Sequence, residues 1–265
     1  MVRTFLVRGM LVGIVAGLLS FGFLKVYGEP QVDRAIAFET EHRQAKVTTK
    51  NVEEPTHAHG HASNHTHMQA ADEEEPELVS RPVQAGLGLF VAMLVYSVAF
   101  GGLFGLAHAF AAGRLPGVSS PQGVSALLAI VGFVSVYLVP NLKYPANPPA
   151  IGEPDTIGAR TALYFTMIAI SLAAMIVAMT MKRAFVVRVG EWNANLLAAA
   201  CYIVLIAIAA LLLPTVSEVP DQFPADVLWK FRIASIGAQL IMWGTLGLLF
   251  GALTQRAAVH GGLRA

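Results

Sequence analysis

The chain has 265 residues, of which 55% are hydrophobic and only 13% are charged, and its formal net charge is +1. This composition is typical of a multi-pass membrane protein and excludes a water-soluble globular domain. We expect the lipid bilayer as its environment and no nucleic-acid partner. The single cysteine, Cys201, excludes an intramolecular disulfide and any metal site built from several cysteines.

A helix that crosses a membrane needs about 20 predominantly apolar residues. Six stretches meet or nearly meet this length: 9–27, 85–112, 123–140, 161–181, 194–213 and 233–253. The predicted fold is an all-α integral membrane protein, a bundle of six transmembrane helices.

These spans divide the chain into three regions. Residues 1–27 form the first transmembrane helix, residues 28–82 a polar loop, and residues 83–265 a five-helix transmembrane core. The loop is rich in charged and polar residues and poor in aromatic ones, so we expect it to be largely disordered without metal.

The basic residues predict the orientation, because lysine and arginine near helix ends favour the cytoplasmic side. Arg3 and Arg8 precede the first helix, and the turns after the even-numbered helices carry Arg114, Lys182, Arg183, Arg188, Arg256 and Arg264. Both termini are therefore predicted to be cytoplasmic, with residues 28–82 outside.

The first helix has an alternative interpretation. Arg3 and Arg8, the apolar stretch and the V-Y-G before Glu29 resemble a cleaved signal peptide, although Lys25 interrupts the end of the apolar run. Cleavage would leave five spans and would keep residues 28–82 outside.

Small residues recur at four-residue intervals in three spans, a pattern that lets membrane helices approach closely. The positions are Gly9, Gly13 and Gly17 in the first span, Gly101, Gly105, Ala109 and Gly113 in the second, and Gly247 and Gly251 in the sixth.

The polar loop contains a candidate metal site of five histidines, His57, His59, His61, His65 and His67. In an extended backbone, the i, i+2 spacing of H-A-H-G-H places side chains on the same side, where they converge on one ion. Neutral imidazole binds cobalt, nickel, copper and zinc, so the tract concentrates metal without selecting one. The alternative is a solvated loop with incidental affinity.

His108 is the one histidine within a predicted span, and it shares a helix face with Gly101, Gly105 and Ala112. Ionisable residues inside a membrane often mark a transport pathway, so His108 is a pathway candidate. A position near the cytoplasmic interface, close to Arg114, is the alternative. Gln239 in the sixth span is interpreted as an interhelical hydrogen bond rather than a ligand.

Two proline-rich acidic loops follow the third and fifth spans and indicate a weak internal repeat. Each span ends at a Val-Pro or Leu-Pro pair, and each loop leads to an arginine, Arg160 or Arg232. The loops offer oxygen ligands that would admit a cation: Glu153, Asp155, Asp221 and Asp226. Solvated loops that cap helices are the alternative.

No Walker motif, nucleotide-binding glycine loop or H-E-x-x-H motif occurs. The chain is therefore not predicted to be an enzyme, and neither catalytic residues nor a cofactor are expected.

Three sequence blocks resemble the CbtA-type cobalt transporter subunit family: G-M-L-V-G-I-V-A-G-L-L-S, L-K-Y-P-A-N-P-P-A-I-G-E-P-D-T-I and F-P-A-D-V-L-W-K-F-R-I-A-S. The resemblance implies a prokaryotic inner-membrane protein that takes up Co2+ for cobalamin synthesis. It also implies a small partner of CbtB type, with one span and a short histidine motif.

Alternatives remain open beside this expectation. The transported ion is Ni2+ or Zn2+ in one of them, and in another the chain is a non-transporting membrane metal sensor or scaffold. The long histidine-rich insertion departs from the compact family pattern.

Overall fold

The computed structural model describes residues 2–52, 79–115, 117–118, 120–149, 151–152 and 154–262. Across these residues the protein is helical and contains no β-strand. The predicted all-α fold class is thus confirmed.

Five helices in the described residues are long and apolar enough to cross a membrane: α1 Val2–His42, α2 Arg81–Ala111, α3 Pro121–Lys143, α4 Ile157–Leu212 and α5 Ala225–His260. The helical conformation after α1 continues to Val52, and after α5 to Gly262. The predicted six separate helices are not all distinguished in the structure, because the fourth and fifth predicted spans both lie within α4, which is interrupted at Gly190.

The boundaries of α3 show how local sequence sets a helix. The Ser120 hydroxyl accepts a hydrogen bond from the Gly123 amide at 3.1 Å, and Pro121 occupies the first helical turn. At the other end, Tyr144 leaves the helical conformation directly before Pro145, since a residue that precedes proline disfavours the α region.

Helix α4 has 56 residues and is broken at Gly190, whose φ of 79° and ψ of 165° are not helical. Glycine adopts positive φ without steric cost. The hydroxyls of Ser171 and Tyr202 form a hydrogen bond of 2.7 Å, and Met167 and Ala209 belong to one buried cluster. Each pair lies on opposite sides of Gly190, so the two halves of α4 run antiparallel.

Helix α1 lies at the centre of the bundle, where it packs against α2 and α5, while α3 packs against α5 and α4 lies at the edge against α3. We call the end with the start of α1 and the end of α5 the terminal end. The loop end is the opposite one, which holds the start of α2 and the loops 144–156 and 213–224.

The contact between α1 and α2 depends on glycine. A Cβ added at Gly9 or at Gly101 would overlap the backbone of the other helix, and Gly105 faces the Phe5 carbonyl in the same way. Gly247 and Gly251 of α5 lie against α3 at Ala129 and Ser125. The predicted role of these small residues in close helix packing is confirmed.

The first part of the polar region 28–82 differs from the expected disorder. Residues Glu29–Val52 are helical, and the part up to His42 belongs to α1. Ala35 is buried with Ile151 and Phe223 from the two loops at the loop end, and this apolar contact stabilises a segment whose composition alone indicates disorder.

Four of the five helices contain a π-helical turn in the part of the chain that the structure describes. The turns are Leu24–Gly28, Gln84–Gly88, Phe133–Leu138 and Leu246–Phe250. Turns of this kind occur frequently at functional sites.

Candidate functional site

The predicted metal-binding histidines His57, His59, His61, His65 and His67 lie outside the described residues, as does Glu153. The structure does describe both flanks of the histidine segment. At its base the Arg81 guanidinium contacts Glu29 at 2.6 Å and Asp33 at 2.9 Å, so the start of α2 is tied to the loop-end part of α1.

His108 is almost completely buried at the terminal end of the bundle, where α1, α2, α3 and α5 meet. Its Nδ1 lies 3.1 Å from the Ser125 hydroxyl. That hydroxyl also donates to the Pro121 carbonyl at 2.9 Å, so it accepts the Nδ1–H proton of His108. This tautomer leaves the lone pair on Nε2, the atom that would bind a metal ion.

Arg8 and Thr254 complete a terminal-end cluster of Arg8, His108, Ser125 and Thr254. The Arg8 guanidinium donates to the Thr254 hydroxyl at 3.0 Å, and it acts electrostatically on His108. A cation at His108 would be repelled by this guanidinium. The guanidinium therefore disfavours a positive ion at His108 in this conformation.

The three predicted acidic residues that the structure describes do not form a metal site with one another. Asp155, Asp221 and Asp226 are exposed at the loop end, and Asp226 pairs with Lys230 at 3.4 Å within its own helix. Among the described residues, no group of three or more histidine, cysteine or acidic side chains has the arrangement of a metal site.

Two arginines instead connect the two loops at the loop end. Arg160, which follows the first loop, pairs with Glu218 of the second at 3.1 Å. Arg232, which follows the second loop, donates to the Asn147 side chain at 3.0 Å and to the Ala146 carbonyl of the first at 3.2 Å. Each arginine thus reaches into the other repeat's loop.

This reciprocal arrangement was not predicted, although both arginines were noted as matching positions of a repeat. Tyr144 adds a third link, since its hydroxyl donates to the Pro214 carbonyl at 2.8 Å. Desolvation raises the pKa of Tyr144, so the phenol keeps the proton that it donates. These contacts therefore join the two loops into one surface at the loop end.

A second group of polar side chains lies between the loop end and His108, extending from inside the bundle to Tyr96, which is 38% exposed. We call Tyr96, Tyr137, Ser235 and Gln239 the mid-bundle cluster. The Gln239 amide donates to the Tyr96 hydroxyl at 3.3 Å, which is the predicted interhelical hydrogen bond, and the Tyr137 and Ser235 hydroxyls are 2.8 Å apart.

Aromatic rings separate the mid-bundle cluster from the terminal-end cluster. Phe100 packs edge-on against Trp243, with ring centroids 5.8 Å apart, and Phe104 packs edge-on against Phe250 at 5.5 Å. We call these four residues the aromatic plug. Phe250 also contacts the His108 ring at 5.1 Å, so the plug lies directly on the histidine.

From the loop end to the terminal end, the linked loops are followed by the mid-bundle cluster, the aromatic plug and the buried His108. An open groove of about 620 Å³ on the outer side of α2 is lined mainly by apolar residues that include Val83, Leu87 and Val95, and Tyr96 of the mid-bundle cluster also contributes to its lining. Its lining suits lipid or another helix rather than an ion.

Searches among curated proteins and among solved structures found no match. A family model described as probable cobalt transporter subunit (CbtA) matches residues 2–255. The match covers all five helices almost completely, including every described residue of the two clusters and the plug. The chain therefore belongs to the CbtA family of probable cobalt transporter subunits.

Proposed function

We propose that this protein is the membrane subunit of a Co2+ uptake transporter in the prokaryotic inner membrane, and that it supplies cobalamin synthesis. The observation that carries the proposal is the family match over residues 2–255. The buried His108 supports it, because a solvent-inaccessible imidazole within a membrane bundle is costly and typical of a pathway.

The chain crosses the membrane six times in this proposal, since α4 supplies two crossings. A continuous helix of 56 residues would be about 84 Å long, whereas the apolar core of a bilayer is about 30 Å thick. The break at Gly190 and the antiparallel contact of Ser171 with Tyr202 agree with a hairpin inside the bilayer.

Both termini lie in the cytoplasm. The terminal end of the bundle gathers basic residues from different parts of the chain, as the positive-inside rule requires: Arg3, Arg8, Arg114, Lys182, Arg183, Arg188 and Arg256. The loop end and the histidine segment then face outward. The first helix is retained, because α2 packs on its glycine face.

Single-cysteine variants test this topology, because Cys201→Ser leaves the chain without any cysteine. Glu191→Cys next to the break is expected to react with a membrane-impermeant thiol reagent only in inverted vesicles. Asp221→Cys on the second loop is expected to react only in intact spheroplasts. Labelling of both from the same side would contradict the crossing between them, which is the second half of α4.

The histidine segment captures metal outside and raises its concentration near the loops. The small one-span, histidine-bearing CbtB-type subunit is the proposed partner, in agreement with the description of the family as a transporter subunit. Imidazole loses its metal when it is protonated, with a reference pKa of about 6.5, so capture is expected to weaken below about pH 6.

Radioactive cobalt uptake by cells that express the chain with its partner tests the function. Uptake above that of the empty vector, with stronger competition by Co2+ than by Ni2+ or Zn2+, is expected. Stronger competition by Ni2+ or Zn2+ would change the proposed substrate. Absence of metal-dependent uptake would overturn the transporter in favour of a membrane metal sensor or scaffold.

Deletion of residues 55–69 separates capture from transport. A transporter without the segment is expected to need more external Co2+ for half-maximal uptake but to reach an unchanged maximal rate. A scaffold would lose its main activity at every metal concentration. Replacement of the same five histidines by serine, which keeps the segment's length, is the matched control for the deletion.

A further inference from the structure

The inward face of α5 carries polar side chains through the part of the bundle that should be most apolar. Ser235, Gln239 and Trp243 follow one another at intervals of four residues and so lie on one face. Within the described residues, neither the Gln239 Oε1 atom nor the Trp243 Nε1 atom has a hydrogen-bond partner, although both are buried. An orphaned buried polar atom costs about 1–3 kcal/mol, so these groups indicate contact with water or a ligand.

The same face is connected to α2 and α3. Gln239 binds Tyr96 of α2, and Ser235 binds Tyr137 of α3. Three helices therefore bring neutral hydroxyl and amide groups to one level of the bundle. Gln239 lies seven residues after Arg232, so this level is about 10 Å below the linked loops.

Between this level and His108, the buried side chains that fill the bundle are apolar. Leu246 and Phe250 have 0% exposure, and Phe104 meets Phe250 edge-on. Phe250 is part of a π-helical turn, as is Tyr137 of the mid-bundle cluster. Such turns shift side chains with little disturbance of the remaining helix, which suits a barrier that opens.

We infer that the mid-bundle cluster is a binding station for a hydrated divalent cation, and that Phe104 and Phe250 are the barrier between this station and His108. The inference rests on the proposed transport function and adds the position of the ion within the bundle. Its chemistry is that of a second coordination sphere, in which hydroxyl and amide oxygens accept hydrogen bonds from metal-bound water.

A hydrated ion fits these groups better than a dehydrated one. The cluster consists of neutral side chains, whereas direct coordination of a divalent ion in an apolar bundle would require carboxylate or imidazole ligands to offset the lost hydration. The first strong ligand on the terminal side is His108, beyond the plug. Passage of the plug is thus the step at which water would be lost, as in hydrophobic constrictions that close by dewetting.

Thiol accessibility tests the station without any need for transport. In the Cys201→Ser background, Gln239→Cys is expected to react with an impermeant methanethiosulfonate from the loop side about tenfold faster than Leu240→Cys, because the reactive thiolate needs water. Leu240 is the matched control, since it is the next residue and is 52% exposed on the outside of the bundle. Added Co2+ should slow the reaction of Gln239→Cys alone.

Ser235→Cys serves as a second probe of the same station, in case Gln239→Cys does not fold. Equal reaction rates at the inward and outward positions, or no protection by Co2+ at either inward position, would overturn the station. Labelling does not depend on flux, so the two proposals can fail separately. A wild-type protein that does not transport Co2+ would refute the proposed function, whereas the labelling rates would still support or overturn the station.

Flux measurements with Phe250→Ala test the barrier. In proteoliposomes of the intact complex, this variant is expected to pass Co2+ several-fold faster than wild type, whereas Leu248→Ala should not, because Leu248 is 74% exposed on the outside. His108→Cys should react from the loop side only when Phe250 is alanine. Unchanged flux together with unchanged reaction of His108→Cys would overturn the barrier.

Discussion

Arg160 and Glu218 link the two loops of the loop end through an ion pair of 3.1 Å, with the Glu218 side chain only 12% exposed. Arg232 makes the opposite connection, to Asn147 and the Ala146 carbonyl. The two loops therefore cannot separate without breaking contacts made from both sides.

Charge reversal tests the Arg160–Glu218 contact. Each single variant, Arg160→Glu or Glu218→Arg, is expected to lose about 1–3 kcal/mol of stability, because it places like charges together in a partly buried site. The double variant should recover part of that loss. Thermal unfolding in detergent measures the cycle, and strictly additive losses would show that the pair contributes no coupling.

Gly152→Ala is expected to destabilise the loop end. Gly152 has a φ of 115°, and an added Cβ would lie 2.5 Å from the Arg160 guanidinium and 2.6 Å from the Glu218 carboxylate. Backbone strain of about 1–3 kcal/mol is expected at such a position for a residue other than glycine. Gly158→Ala is the control, because no atom lies within 4 Å of its added Cβ; a similar fall in melting temperature there would remove the argument.

Gly101→Leu is expected to separate α1 from α2. Its added side chain would overlap the Gly9 carbonyl across the closest helix contact, and such overpacking costs about 1–3 kcal/mol or more. Gly22→Leu on α1 faces open space and should leave stability unchanged. Size-exclusion profiles and melting temperatures in detergent compare the two variants, and equal behaviour would contradict the tight contact.

His108→Ala is expected to abolish cobalt uptake while the complex still assembles. His108→Gln disturbs the packing less, because glutamine can keep the hydrogen bond to Ser125. It still removes the imidazole nitrogen that would bind a metal ion. His260→Ala is the control, since His260 is exposed and bonds only the Arg256 carbonyl of its own helix. Uptake assays in cells with matched expression of each variant test this prediction. Full activity of His108→Ala would exclude the imidazole from the pathway.

Periodicity and composition were sufficient to predict the helices that bury an apolar face. The spacing of Gly9 and Gly101 predicted a close helix contact, and the position of His108 on the same face predicted that it points inward. These features depend only on helical geometry, which a sequence shows directly.

Features that depend on distant partners were not predicted. The partner of Arg160 is Glu218, which is 58 residues away in the chain, and no local pattern links the two positions. The loop 28–82 was expected to be largely disordered because its composition is polar. Residues Glu29–Val52 are helical instead, and Ala35 packs in a buried cluster with Ile151 and Phe223. Tertiary contacts decided both cases.

Helix α1 contacts both ends of the bundle. Arg8 binds Thr254 beside His108, while Ala35 is buried between the two linked loops. The two residues are 27 positions apart, which is about 40 Å of helix. The π-helical turn Leu24–Gly28 lies between them. One helix therefore connects the linked loops to the guanidinium beside the imidazole, and this turn is the irregular point in that connection.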